Sequence, residues 1–180
     1  KNGKVKLQLE WGIVGGAIDK NYMKPISDGF TQMMSNGVLA GYNIDSMKVR
    51  VHDGSMHSVD SKPIAFELAA KEGFKEAAKK AAPVLLEPIM KLEVTTPDEY
   101  TCSVIGDLNR RRGLVKGQDV KFNAVVVKAE VPLSEMFGYV TQLRSLSSGR
   151  ASSTMEFSHY APAPEGVAKA VIEKAKGAKA

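Results

Sequence analysis

The chain has 180 residues, 43% of them hydrophobic and 25% charged, enough for one or two globular domains. No apolar run approaches the ~20 residues needed to span a bilayer, and no signal-peptide pattern opens the sequence. Lys and Arg number 25 against 20 Asp and Glu, giving +5, a mildly basic balance that permits nucleic-acid binding without requiring it. The single cysteine, Cys102, has no partner for an internal disulfide, which fits a reducing compartment. The chain begins at Lys1 without an initiator methionine, and we expect a piece of a longer protein or a processed product.

In chain order, Lys4–Leu9 alternates apolar and polar residues and reads as a strand. Val14-Gly15-Gly16 is a turn signal. Asp19 or Asn21 caps a helix expected to run to about Ser35, with Tyr22, Ile26, Phe30, Met33 and Met34 on its apolar face and Gly37 beyond its end. A strand at Ser46–His52 puts Met47, Val49 and Val51 on one face and Lys48, Arg50 and His52 on the other. After the loop at Asp53-Gly54, a second helix begins near Asp60 or Ser61, tolerates Pro63 in its first turn, and buries Phe66, Ala70, Phe74, Ala77 and Ala81. Pro83 stops it and pushes Ala82 toward extended geometry. A domain boundary follows, dividing the chain into 1–84 and 85–180.

The second part opens with a strand at Ile89–Thr95, Met90, Leu92 and Val94 facing one way and Ile89, Lys91 and Glu93 the other. Thr96-Pro97-Asp98-Glu99 has the form of a capping box for a helix carrying Val104, Ile105 and Leu108 and ending at Gly113. Gly117-Gln118-Asp119 reads as a tight turn before a strand at Lys121–Val131. Pro132–Glu135 starts another helix with Met136, Phe137, Val140 and Leu143 as its apolar stripe. A last strand at Ala151–Ser158 precedes a tail helix at Val167–Lys176. Strand, helix, arginine and glycine recur in this half, predicting a β-α-β-β-α-β, ferredoxin-like sandwich with one sheet face open to a partner. The fold class is therefore α+β, in two small domains.

Most catalytic chemistry lacks its residues. There is no G-x-x-x-x-G-K-[ST], and no Lys-Ser/Thr follows Gly12-Ile13-Val14-Gly15-Gly16, so we read that run as a turn rather than a phosphate cradle. His52, His57 and His159 have no cysteine pair at zinc spacing; Asp53 and Asp60 near the first two form at most a loose metal site. Cys102 lies early in a helix with no neighbouring histidine and reads as inert packing. Two stretches suit RNA. The Asp53–Asp60 loop carries Gly54, Ser55, Met56, His57 and Ser58, with groups that donate to phosphates, sugars or bases, although a polar connecting loop would look the same. Arg110, Arg111 and Arg112 either complement a helix C-terminus or grip RNA phosphate with guanidinium forks.

Longer runs resemble bacterial elongation factor G. In the first half these are Ile13–Ile18 with Tyr22, Gly37–Tyr42 and Asp53–Ser61. Phe74–Met90 looks like the junction between that family's fourth and fifth domains. Gly106–Gly113, Val131–Tyr139, Leu143–Ser145, Gly149-Arg150 and Met155–Tyr160 continue the likeness. Two departures stand out. Asp19 occupies a position where the family normally has proline, and nothing in Lys1–Trp11 matches the family's Tyr-Gly-His tip loop.

The resemblance implies a fourth domain related to ribosomal protein S5 domain 2 over 1–84, altered or incomplete at its start. Over 85–180 it implies a ferredoxin-like fifth domain with a C-terminal helix. It implies partners: the ribosome and its RNA, with transfer RNA and messenger RNA at the decoding site, where the loop holding Gly54–Ser58 forms part of the tip. Arg110–Arg112 would meet ribosomal RNA. It implies a cytoplasmic, monomeric protein without membrane contact, serving GTP-dependent translocation. GTP and magnesium would be held by an N-terminal domain outside this chain, which itself would bind no cofactor and catalyse nothing. A ribosomal protection protein, a specialised paralogue and a free-standing RNA-binding module are the alternative readings.

Overall fold

The structure, a computed structural model, describes residues 6–57 and 59–178. The chain divides into two compact units, Lys1–Val84 with Glu165–Ala180, and Leu85–Pro164.

The first unit has the order β1 (Leu7–Trp11), α1 (Met23–Asn36), β2 (Met47–Val51), α2 (Pro63–Lys80). β1 pairs in parallel with β2, Leu7 opposite Met47 and Trp11 opposite Val51. Parallel pairing needs a crossover, which α1 and its flanking loops supply. The expected strand at Lys4–Leu9 is met over Leu7–Leu9 and continues to Trp11, and Lys4 and Val5 lie outside the described residues. Asp19 caps a single 3-10 turn, Lys20–Tyr22, accepting from the Asn21 N–H at 2.9 Å, and α1 proper starts only at Met23. Gly37 closes α1 at φ +60, where a Cβ would collide with the Tyr42 carbonyl.

α1 and α2 approach closely at Gly29, where a Cβ would lie 2.7 Å from the Glu67 carbonyl oxygen. The core consists of Ile18, Ile26, Phe30, Met34, Ala70, Phe74 and Ala78, with the Phe30 and Phe74 ring centroids 5.8 Å apart. α2 therefore buries the i, i+4 series through Ala78, while Ala77 and Ala81 are exposed. Ala82 is not extended before Pro83: it takes φ +52, the left-handed stop that follows a helix end. A tail helix, Glu165–Gly177, groups with this unit, whereas the sequence reading attaches it to the second.

The second unit is a four-stranded antiparallel sheet in the order β4-β5-β3-β6, from β3 (Leu86–Thr96), β4 (Leu114–Lys121), β5 (Ala124–Pro132) and β6 (Ser152–Pro162). α3 (Thr101–Arg110) follows β3, and α4 (Tyr139–Leu146) follows β5. This is the expected βαββαβ sandwich. The core joins Leu92 and Val94 of β3, Val125, Val127, Ala129 and Val131 of β5, and Val104, Leu108, Tyr139 and Leu143 of the helices. On the opposite sheet face, ion pairs join Lys116 to Glu130 and Lys128 to Asp119.

Four local readings change here. The capping box does not form, because Thr96 stays in β3 and Glu99 pairs with Arg150 at 2.7 Å. α3 stops at Arg110, short of Gly113, with Arg112 at φ +57 making the turn. Gly117–Asp119 is strand, irregular in register between Val115 and Gly117, and the turn lies at Phe122-Asn123 instead. The buried residues of α4 are Tyr139 and Leu143, with Met136 buried just ahead of the helix, because a 3-10 turn at Leu133–Glu135 and Gly138 at φ +72 shift the phase; Phe137 and Val140 are exposed.

Candidate nucleic-acid interface

The segment between β2 and α2 carries one candidate surface. β2 delivers the chain at Val51, and α2 takes it back at Pro63. Proline suits that first helical position, since its missing N–H has no intrahelical acceptor there. The Gly54 N–H is turned onto Asp53 Oδ1 at 2.7 Å. A Cβ on Gly54 would collide with Ile18 Cδ1, so glycine is what lets the loop lie against the β1–α1 connection. The His57 N–H donates to Ser61 Oγ at 2.9 Å. The Tyr22 hydroxyl donates to the Ser61 carbonyl at 3.1 Å, and the Tyr22 ring stacks on Phe66 with centroids 4.1 Å apart. The backbone is thus pinned from both ends while Gly54, Ser55, Met56 and His57 remain exposed. Ser58 lies outside the described residues.

The Tyr22–Ser61–Phe66 brace is invisible to motif reading, because its members are 39 residues apart at the hydrogen bond. Only their aromatic and hydroxyl types hint at it. Asp19, Asn21 and Tyr22 also line a cleft of about 440 Å³ with Met56, His57 and Pro63. Among the described residues no group of three or more His, Cys, Asp or Glu could hold a metal ion, so His52, His57, Asp53 and Asp60 do not assemble as ligands. Cys102, expected in the core, is exposed. No described helix is long and apolar enough to cross a membrane.

The arginine run has a different character. Asp107, one turn earlier on α3 and buried, accepts from Arg110 Nη2 at 2.8 Å and from Arg111 Nε at 2.9 Å. Arg111 also donates to the Glu135 carbonyl, and its guanidinium lies 5.1 Å from the Tyr139 ring centroid. Its side chain is 17% exposed. Arg112 holds Glu87 bidentately, at 2.8 and 3.0 Å, and reaches Glu135 Oε1 at 3.1 Å. The hydrogen bonds to Glu87 raise the Arg112 pKa further above its already high value. Burial pushes the neighbouring Tyr139 hydroxyl up to about 12, the Asp107 carboxylate adding to the effect, and that hydroxyl has no hydrogen-bond partner among the described residues. Two of the three guanidinium forks are therefore consumed inside the unit, tying α3 to β3 and to the turn before α4. Arg110 presents most of its side chain to solvent, 71% exposed.

The chain is a two-unit α+β protein, with a ferredoxin-like second unit and a glycine-bearing loop presented by the first. The comparisons place it among translation elongation factors. A family model described as elongation factor G, domain IV, matches residues 2–82, and one described as elongation factor G C-terminus matches 84–171. The elongation factor G of Amoebophilus asiaticus is 55% identical over 177 residues, covering 98% of this chain and 25% of that protein. That of Cytophaga hutchinsonii is 54% identical over the same length and coverage. A crystal structure of a Thermus thermophilus protein superposes with a TM-score of 0.81 at 40% identity, covering 96% of this chain and 26% of the other. The chain belongs to the elongation factor G family. It spans about a quarter of the length of the curated relatives it matches.

Proposed function

We propose that this chain is the ribosome-contacting C-terminal part of an elongation factor G, serving GTP-dependent translocation of transfer RNA and messenger RNA. The observation that carries the reading is the pair of family models lying in order along 2–82 and 84–171, with identity to the two relatives above one half. The contribution of these residues is recognition and mechanical support. The Gly54–Ser58 loop meets RNA at the decoding site, with the His57 N–H held by Ser61 Oγ and the Ser61 carbonyl by the Tyr22 hydroxyl. Arg110 reaches ribosomal RNA, and Arg111 and Arg112 hold the surface that presents it.

On this reading GTP and magnesium are held by another domain of the parent protein, since this sequence has no G-x-x-x-x-G-K-[ST] run to cradle phosphate. No step of GTP hydrolysis is assigned to this chain. It acts in the cytoplasm, as a monomer, away from membranes.

Co-sedimentation of the chain with intact ribosomes at low and moderate salt tests the reading. Binding that weakens as salt rises, and drops on His57→Ala, is the expected result. Salt-independent binding, or binding indifferent to His57→Ala, would count against the loop. GTP turnover by the purified chain, measured as phosphate release, would count against the division of labour.

A further inference from the structure

The cleft beside the Gly54–Ser58 loop is more specific than a phosphate-contacting surface needs. It is an open surface cleft of about 440 Å³ lined by Asp19, Asn21, Tyr22, Met56, His57 and Pro63, all but Tyr22 exposed. Two chain segments far apart in sequence build it, and the Tyr22 hydroxyl bound to the Ser61 carbonyl keeps them together. Asp19 is fixed in place as the cap of its 3-10 turn, with one oxygen accepting the Asn21 N–H.

A carboxylate repels RNA phosphate, so an RNA group entering beside Asp19 must offer hydrogen-bond donors. Splayed-out bases of single-stranded RNA do so on their Watson–Crick edges. Of the four bases, guanine alone presents two adjacent donors there, the N1–H and the N2 amino group. Adenine and cytosine present one donor beside an acceptor, and uracil one donor between acceptors. A carboxylate has about four lone-pair sites, and Asn21 uses one, which leaves capacity for both guanine donors. Met56 and Pro63 supply apolar surface for the faces of the base.

We propose that this cleft is a subsite for one unpaired guanine, with Asp19 accepting from its Watson–Crick edge. The proposal rests on the reading that the neighbouring loop contacts RNA. It assigns this chain a base preference that the proline expected at this position could not supply, since proline has no acceptor side chain.

Fluorescence anisotropy with the 180-residue chain and labelled uridine-rich RNA octamers, each bearing one central guanine or adenine, tests it. The guanine octamer is expected to bind about tenfold more tightly, in line with the ~1–3 kcal/mol a good bidentate base contact discriminates. Asp19→Ala should bring the guanine and adenine octamers to the same affinity, removing that preference. Asp19→Asn, which keeps the size and gives up one acceptor, should reduce it. Equal affinity for both octamers in the native chain, or a preference that survives Asp19→Ala, would overturn the guanine subsite and leave the loop's RNA role standing. Binding of neither octamer would overturn both.

Discussion

The loop at 53–60 and the arginine run at 110–112 look equally suited to RNA on paper, and the structure separates them. Among the described loop residues, the donors taken up by internal hydrogen bonds are backbone groups, the Gly54 and His57 N–H, with Asp53 the one side chain engaged, and the side chains of Ser55, Met56 and His57 stay exposed. In the arginine run it is the side chains that are taken up, by Asp107, Glu87 and Glu135. A polar residue is available to a partner only when its own fold has not already satisfied it. Charge and residue type cannot report that; partners can.

The comparison breaks first if Arg112 is dispensable for folding. Arg112→Ala leaves Glu87, 11% exposed at its side chain, without its bidentate partner. Removing one member of a buried pair costs about 3–5 kcal/mol, and partial exposure of Arg112 lowers the expectation to about 2–3 kcal/mol. Urea unfolding followed by far-ultraviolet circular dichroism checks this, and a loss under about 0.5 kcal/mol would place Arg112 with ordinary surface residues.

The first unit makes its own test at Gly29. An added Cβ would meet the Glu67 carbonyl at 2.7 Å and Ala70 Cβ at 3.2 Å, so α1 and α2 must move apart. Gly29→Ala should cost about 1–3 kcal/mol by overpacking. The lone tryptophan, Trp11 in β1, offers a fluorescence signal for this unit alone.

A smaller effect is expected at Tyr139. Its buried hydroxyl has no partner among the described residues, so Tyr139→Phe should be neutral or stabilising, by up to about 1–2 kcal/mol. The sign of the pH dependence follows from the raised value. Folding favours the protonated phenol, so its contribution is intact below about pH 10, the ordinary tyrosine value, and is lost as pH rises toward about 12. Tyr139→Phe should flatten that alkaline loss in urea midpoints measured from about pH 9 to about 12. An unchanged alkaline slope would remove Tyr139 as its source.

Much of the fold was legible because burial follows periodicity. Met47, Val49 and Val51 share the inner face of β2, and Leu92 and Val94 that of β3, as alternation requires. Errors came where local signals competed with long-range pairing. Thr96-Pro97-Asp98-Glu99 has every residue of a capping box, yet pairing with β5 holds Thr96 in the strand. Gly117 has a turn's composition but sits at a register shift inside β4. The exposure of Gly54, Ser55, Met56 and His57 was legible from the polar composition of their loop. The fate of the arginines was not: Glu87 and Glu135 stand 25 and 23 residues from Arg112, a separation no spacing rule covers.

The most direct test of the contrast sets His57→Ala beside Arg112→Lys, measuring urea midpoint and ribosome co-sedimentation for each. Arg112→Lys keeps the positive charge a phosphate would sense and loses the fork that Glu87 requires. The account predicts that His57→Ala keeps its midpoint and loses ribosome binding, while Arg112→Lys lowers the midpoint and, where still folded, binds as the native chain does. The reverse pattern, with a stability loss at His57 and a binding loss at a fully stable Arg112→Lys, would contradict it.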